Sequence, residues 1–222
     1  MSFLHLVGDT GYAAVHAWMA ARVDARARGE VGDVVLLLEH PSTLTVGRKR
    51  GAMDNLLAPE GVPVVEVERG GDVTWHGPGQ LVAYPIVLLE GARRDLHLHL
   101  RALESAVIDV LAGVGLKGRR DVRNTGVWLP MPQGTPKKVC SVGIACRRWV
   151  TWHGLALNID PSLAEFERIR PCGFDPSVMT RVADHLSPCP PVRAWVEPLA
   201  RALADRLDLP FDGVATREIA RA

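Results

Sequence analysis

The sequence predicts an α+β domain, a mixed β-sheet flanked by helices. Three patterns predict it. Val34-Val35-Leu36-Leu37-Leu38 is an unbroken apolar run, as a strand buried on both faces requires. Leu96, Leu100, Leu103, Val107 and Leu111 recur at spacings of three and four, which lines one face of a helix with apolar side chains. Most other apolar runs are separated by short turn-forming stretches, which marks hairpins.

In chain order, residues 3–7 read as a short strand, and the Ala- and Arg-rich stretch 12–28 as a helix ended by Gly29. Residues 34–38 and, after Pro41, 43–46 are strands. Alternation at 64–68 and 81–87 gives two more strands on either side of a Gly-rich loop. Asp95 caps the amphipathic helix that closes near Gly113. Strand signals return at 126–129, 138–146 and 149–159, the last two joined by a basic turn at Arg147-Arg148. Residues 188–191 form a Pro-rich linker, 193–207 a further helix, and the tail beyond Phe211 is weakly specified. The expected organisation is one domain over 1–222, with about 188–222 as a C-terminal helical extension. A chain of 222 residues can bury a core without disulfides or metals.

Composition narrows the function. The chain is 47% apolar and 23% charged, which suits a folded globule. With 26 basic and 25 acidic residues, a strongly basic nucleic-acid binder is not expected. Arg48-Lys49-Arg50, Arg93-Arg94, Arg119-Arg120 and Arg147-Arg148 read as solvated surface, one or two of them available to an anionic partner. No apolar run reaches the length of a membrane span, and residues 1–8 lack a secretory pattern. A soluble, cytoplasmic protein is expected. Cys140, Cys146, Cys172 and Cys189 include no CxxC pair, so no structural zinc is expected and the thiols should be free.

Chemistry concentrates in three places. Arg69-Gly70-Gly71-Asp72-Val73-Thr74-Trp75-His76-Gly77-Pro78-Gly79-Gln80 holds four glycines around a histidine, so backbone N–H groups can approach a ligand closely; an ordinary hairpin loop with an incidental histidine is the plainer reading. In the run 137–146, strict alternation groups Lys138, Cys140, Val142, Ile144 and Cys146 on one face, with Ser141 and Gly143 on the other. Lys138 then opens an apolar row at the rim of a core or cleft. Desolvation there favours the neutral amine and suits proton transfer, unless the side chain snorkels to water. Gly154 and Ala156 share a face, as do Gly143 and Ala145; two small-residue strips on paired strands imply a groove or room for a packed helix. Finally, Cys172 lies between Pro171 and Gly173 on a tight turn that packing does not explain, which makes it the candidate nucleophile, with Lys138 and His76 as possible activators.

Together, 69–80, 138–143, 153–158 and 171–174, in that order, resemble the octanoyltransferase family of lipoate biosynthesis; Gly47-Arg48 and Asn55-Leu56-Leu57 fit as well. The resemblance implies a fold similar to the catalytic domains of biotin and lipoate protein ligases. It implies transfer of an octanoyl group from octanoyl-acyl carrier protein to a lysine of lipoyl domains, those of 2-oxoacid dehydrogenase complexes and the glycine cleavage H protein. Cys172 would carry the acyl thioester and Lys138 would activate the thiol and shuttle protons. His76 would orient groups at the site, and Arg69, Gly70, Gly71, Asp72, Val73, Thr74, Trp75, His76, Ser141, Val142, Gly143, Gly154, Leu155 and Ala156 would line the acyl site. Trp75 stands where the family commonly has a tyrosine-type aromatic and should change pocket shape. No metal, cofactor, nucleic acid or membrane is implied. The alternatives are an ATP-dependent lipoate or biotin ligase, for which Cys172 would be idle, a non-catalytic carrier-domain binding module, and a metal site using His76, His153 and cysteines, which no ligand spacing supports.

Overall fold

The computed structural model describes residues 1–8, 10–122 and 124–218. The chain opens with β1 (Ser2–Val7), crosses over through α1 (Tyr12–Ala27) and returns parallel to β1 as β2 (Val34–Leu38). Then come β3 (Thr43–Val46), β4 (Val64–Glu66), β5 (Val73–His76), β6 (Gln80–Ile86) and α2 (Leu96–Gly113). Next are β7 (Arg119–Arg120), β8 (Val127–Leu129), β9 (Lys137–Arg147), β10 (Val150–Asn158), α3 (Val196–Leu207) and β11 (Val214–Glu218). The main sheet has the order β11-β1-β2-β6-β10-β9-β8-β7, and a smaller sheet has the order β4-β3-β5. Pairing along β11-β1-β2 is parallel and from β2 to β7 antiparallel, so the sheet is mixed.

The apolar run of β2 is explained by helices on both faces. Val35 and Leu37 face α2 and α3, while Val34, Leu36 and Leu38 face α1. The small sheet builds its own core from Leu44, Val46, Val73 and Trp75 against Phe166, Ile169 and Met179. It therefore sits as a roof beside α1, and the space between roof and main sheet becomes the site. Asp95 caps α2 by accepting from His97 N and Leu98 N.

Three local expectations change. The Gly-rich stretch 69–80 is not one loop: β5 occupies its middle, because Val73 and Trp75 bury their side chains in the small core. The tail beyond Phe211 forms β11, which pairs with the open edge of β1; Val214 packs against the core and the four residues after it are exposed, so the strand rests mainly on backbone pairing and leaves little apolar signal. The β9–β10 turn is Arg148-Trp149, both at positive φ (51° and 64°), between the paired Arg147 and Val150. Two left-handed residues match the twist of the flanking strands.

Candidate active site

Residues Pro171–Gly173 form a single 3₁₀ turn in which Cys172 takes φ 57° and ψ 21° and exposes its thiol. Gly173 N donates to Arg170 O and Phe174 N to Pro171 O, and Arg170 N is held by Asn55 O at 2.8 Å. A non-glycine residue in this region is uncommon, and such strain collects at functional sites.

Lys138 reaches this turn because of a β-bulge. Val127 pairs with Cys140 but Trp128 with Lys138, which leaves Val139 as the extra residue of β9. Val139 and Cys140 both enter the core under α2 and α3, and Lys138 borders the same cavity as Ser141 and Gly143. Strict alternation, which grouped Lys138 with Cys140, Val142, Ile144 and Cys146, is thus corrected: one inserted residue reverses the facing of those before it. Lys138 is 4% exposed, with Nζ 3.9 Å from Cys172 Sγ and 5.6 Å from the centre of the Trp128 ring.

A cavity of about 240 Å³ runs from this pair between roof and main sheet. Arg69, Gly70, Gly71, Asp72, Val73, Thr74 and His76 border it from the roof. Ser141, Val142, Gly143, Gly154, Leu155 and Ala156 border it from β9 and β10, where Gly143 pairs with Gly154 and Ser141 with Ala156. Ala145, expected in the small-residue strip, instead packs with the α1 core. Trp75 is the other exception. It is 1% exposed, stacks edge-on against Phe166 and donates from Nε1 to Ser42 Oγ at 2.8 Å, so it shapes the roof from behind and does not touch the cavity.

Polar groups in the roof hold one another. The buried Arg69 guanidinium donates to Thr45 O and Oγ1 (both 2.9 Å), Asp72 O (2.7 Å) and Gly70 O (3.3 Å). Asp72 accepts from Lys49 Nζ (2.8 Å), Asn55 Nδ2 (2.9 Å) and Val73 N (2.8 Å). These bonds hold its carboxyl below the usual range despite its burial, which opposes them. Lys49 and Arg69 both interact electrostatically with Cys172, and Lys138 Nζ lies 3.9 Å from its sulfur. His76 Nδ1 donates to Gln80 Oε1 (2.8 Å), Gln80 Nε2 to Asn158 Oδ1 (2.9 Å) and Asn158 Nδ2 to Thr180 O (2.9 Å). Burial, with His40 nearby, pushes the His76 pKa well down, so the ring is neutral. Among the remaining thiols, burial pushes Cys140 up to about 12 and also raises Cys146 and Cys189.

The sequence reading omitted several lining residues. Tyr12 and Tyr84 border the cavity from α1 and β6. Burial raises the Tyr12 pKa to about 12 and holds that of Tyr84 well above the usual phenol range. His40 links to them by accepting from the Tyr84 hydroxyl at 2.9 Å while Nδ1 donates to Thr10 O at 2.7 Å. Asn124, Thr125 and Lys49 complete the rim. Two tyrosines inside apolar segments were the available signal, since a buried hydroxyl demands a partner. His153, which the sequence offered only as part of a motif and as a metal ligand beside His76 and cysteines, is 1% exposed at φ 56°. Desolvation, helped by Arg69 and His16, pushes its pKa down to about 3.

Comparison with known proteins adds four findings. The lipoyl protein ligase A/B catalytic domain matches residues 11–204. An octanoyltransferase of Chloroflexus aggregans is 43% identical over 217 residues, covering 94% of this chain and 96% of that one. An octanoyltransferase of Gloeobacter violaceus is 48% identical over 156 residues, covering 70% and 67%. Among solved structures, a bipartite lipoate protein ligase of Thermoplasma acidophilum superposes with a TM-score of 0.69 at 17% identity, covering 99% of this chain and 87% of that one, a likeness of fold.

Proposed function

The chain belongs to the octanoyltransferases of the lipoyl protein ligase A/B catalytic domain family, and we propose that it moves an octanoyl group from octanoyl-acyl carrier protein to a lysine of lipoyl domains through a thioester on Cys172. The observation that carries this reading is the placement of Lys138 Nζ 3.9 Å from Cys172 Sγ at one end of a cavity of about 240 Å³. An apolar cavity of ~150 Å³ holds benzene, so this one suits a chain of roughly eight carbons.

The Lys138 amine takes the Cys172 proton, and the thiolate attacks the carrier thioester. The carbonyl π electrons move to oxygen and return as the carrier thiolate leaves with a proton from Lys138. Exchange of one thioester for another is nearly isoenergetic and calls for no ATP. The acceptor lysine, as neutral amine, then attacks the Cys172 thioester. Its proton passes to the departing Cys172 sulfur, directly or through Lys138. The N–H groups near Cys172-Gly173 and Gly70-Gly71 are the candidate donors to the oxyanion. His76, neutral and tied to Gln80, orients the roof. The lipoyl domains are those of 2-oxoacid dehydrogenase complexes and the glycine cleavage H protein. A cytoplasmic setting fits the four free cysteines, and no helix among the described residues is long and apolar enough to cross a membrane.

Incubation with octanoyl-acyl carrier protein, without ATP, should add one octanoyl group at Cys172, seen by mass mapping and lost on hydroxylamine treatment. Cys172→Ser should lose the adduct. An adduct on another residue, or one that requires ATP and free octanoate, would reject the relay.

A further inference from the structure

His153 is almost wholly buried, at 1% exposure, yet neither ring nitrogen has a hydrogen-bond partner among the described residues. Buried imidazoles normally bind something with at least one nitrogen. The backbone makes this orientation deliberate: His153 adopts φ 56° where the β6–β10 ladder is interrupted, between the pairs Leu155–Ala83 and Val150–Leu88, opposite a strand that carries Pro85. What the ring faces is a carboxylate and a second imidazole. His153 Nε2 lies 3.7 Å from Glu68 Oε2, beyond hydrogen-bond reach, and His16 Nε2 lies 2.9 Å from the same oxygen. The three potential ligand atoms all fall within 4.8 Å of one another.

We propose that His16, Glu68 and His153 form a binding site for a borderline divalent transition metal of the zinc type. Two imidazoles and one carboxylate are a ligand set that zinc accepts, at metal–ligand distances of about 2.0–2.2 Å. Such distances put ligand atoms about 3.3 Å apart, so the His16–Glu68 pair must open slightly and the wider spacings close, which rotation of the partly exposed His16 and Glu68 side chains supplies. Calcium and magnesium, which demand mostly oxygen ligands, do not fit. The Trp152 ring lies 4.6 Å from His153 and 5.4 Å from His16 and walls the site on one side. The partial exposure of His16 and Glu68 gives an entry path and room for water ligands. Arg69 opposes a cation here, which selects for coordinate bonds over charge attraction alone. The ligands come from α1, from the stretch after β4 and from β10, so no spacing in the sequence brings them together. His153 pairs with Ile144, six residues along β9 from Lys138, roughly 20 Å of strand, so the metal lies far from the thiol and braces the remote end of the cavity.

Titration of the whole protein with Co(II), followed by visible absorption, tests this. One equivalent should bind with weak d–d bands and no sulfur-to-metal charge transfer, and Zn(II) but not Ca(II) should displace it. Cys172→Ser should bind as before. His16→Ala, on a helix surface where alanine is well tolerated, and Glu68→Gln should each weaken binding at least tenfold. Absence of saturable binding, affinity unchanged in both His16→Ala and Glu68→Gln, or loss of the site in Cys172→Ser would overturn the assignment. None of these readings depends on acyl transfer.

Discussion

Lys138 passes through the space that a side chain on Gly126 would fill. A Cβ on Gly126 would lie 2.6 Å from Lys138 Cε, 3.3 Å from Nζ and 2.4 Å from the carbonyl oxygen of Cys140. Gly126 also has φ 122°, which L-residues rarely adopt. Gly126→Ala should therefore displace the amine as well as strain the backbone. A stability loss of about 2 kcal/mol or more is expected from denaturant unfolding, together with slower alkylation of Cys172. Wild-type behaviour in both measurements would contradict this packing.

Lys138→Ala isolates the charge. A unit charge about 4 Å from the sulfur as it gains negative charge is worth about 1 kcal/mol in a largely aqueous setting, or roughly fivefold in rate. Iodoacetamide should thus modify Cys172 about fivefold more slowly near neutral pH in the variant, with the residual rate sustained by Lys49 and Arg69. Cys140, buried and pushed up to about 12, should stay unmodified in the folded protein. An unchanged Cys172 rate would remove Lys138 from thiol activation.

Much of this arrangement was legible in local pattern. Val34–Leu38 and the Leu96–Val107 periodicity declare a two-faced sheet and its covering helix, and a cysteine between proline and glycine declares an exposed, constrained thiol. What was illegible depends on partners distant in sequence. The bulge at Val139 exists only because β8 pairs in two registers around it, so alternation read within β9 alone misplaces Lys138. Trp75 points behind the roof because Phe166 and Ile169 come to meet it. Tyr12 joins the cavity because α1 packs beside the roof. Glu104 was the missed clue: a carboxylate on the apolar side of α2, next to Leu103 and Val107, has to be paired by something.

That pairing yields a third prediction. Glu104 is fully buried; it accepts from Gly126 N at 2.8 Å, Arg101 Nη1 at 2.7 Å and Arg120 Nε at 3.1 Å. It anchors the strand start that makes way for Lys138. Glu104→Leu should leave Gly126 N unpaired and cost about 2 kcal/mol, discounted from a fully buried ion pair because both arginines are partly in solvent. Glu104→Gln, which keeps an acceptor for Gly126 N, should recover the Cys172 alkylation rate that Glu104→Leu loses. Equal rates in the two variants would show that the anchor does not reach the amine.

The last prediction concerns acid stability. Burial pushes His99 down to about 4, and both its ring nitrogens lack hydrogen-bond partners among the described residues. Its folded value lies below its unfolded one, so between about pH 6.5 and 4 the unfolded chain binds the extra proton. Stability is therefore intact above that window and lost as pH falls through it. His99→Leu removes the titration and the two unpaired nitrogens, beside a cavity of about 210 Å³ that admits the new side chain. The variant should be stabilised at pH 8 by about 1 kcal/mol through relief of the unpaired groups. At pH 5 the gain should be about 2 kcal/mol larger, the proton-linkage share for one such histidine. His40 and His153, also pushed down, remain in both proteins and cancel in the difference. Urea unfolding of both proteins at the two pH values measures it, and an equal gain at both would mean that His99 is not held neutral in the fold.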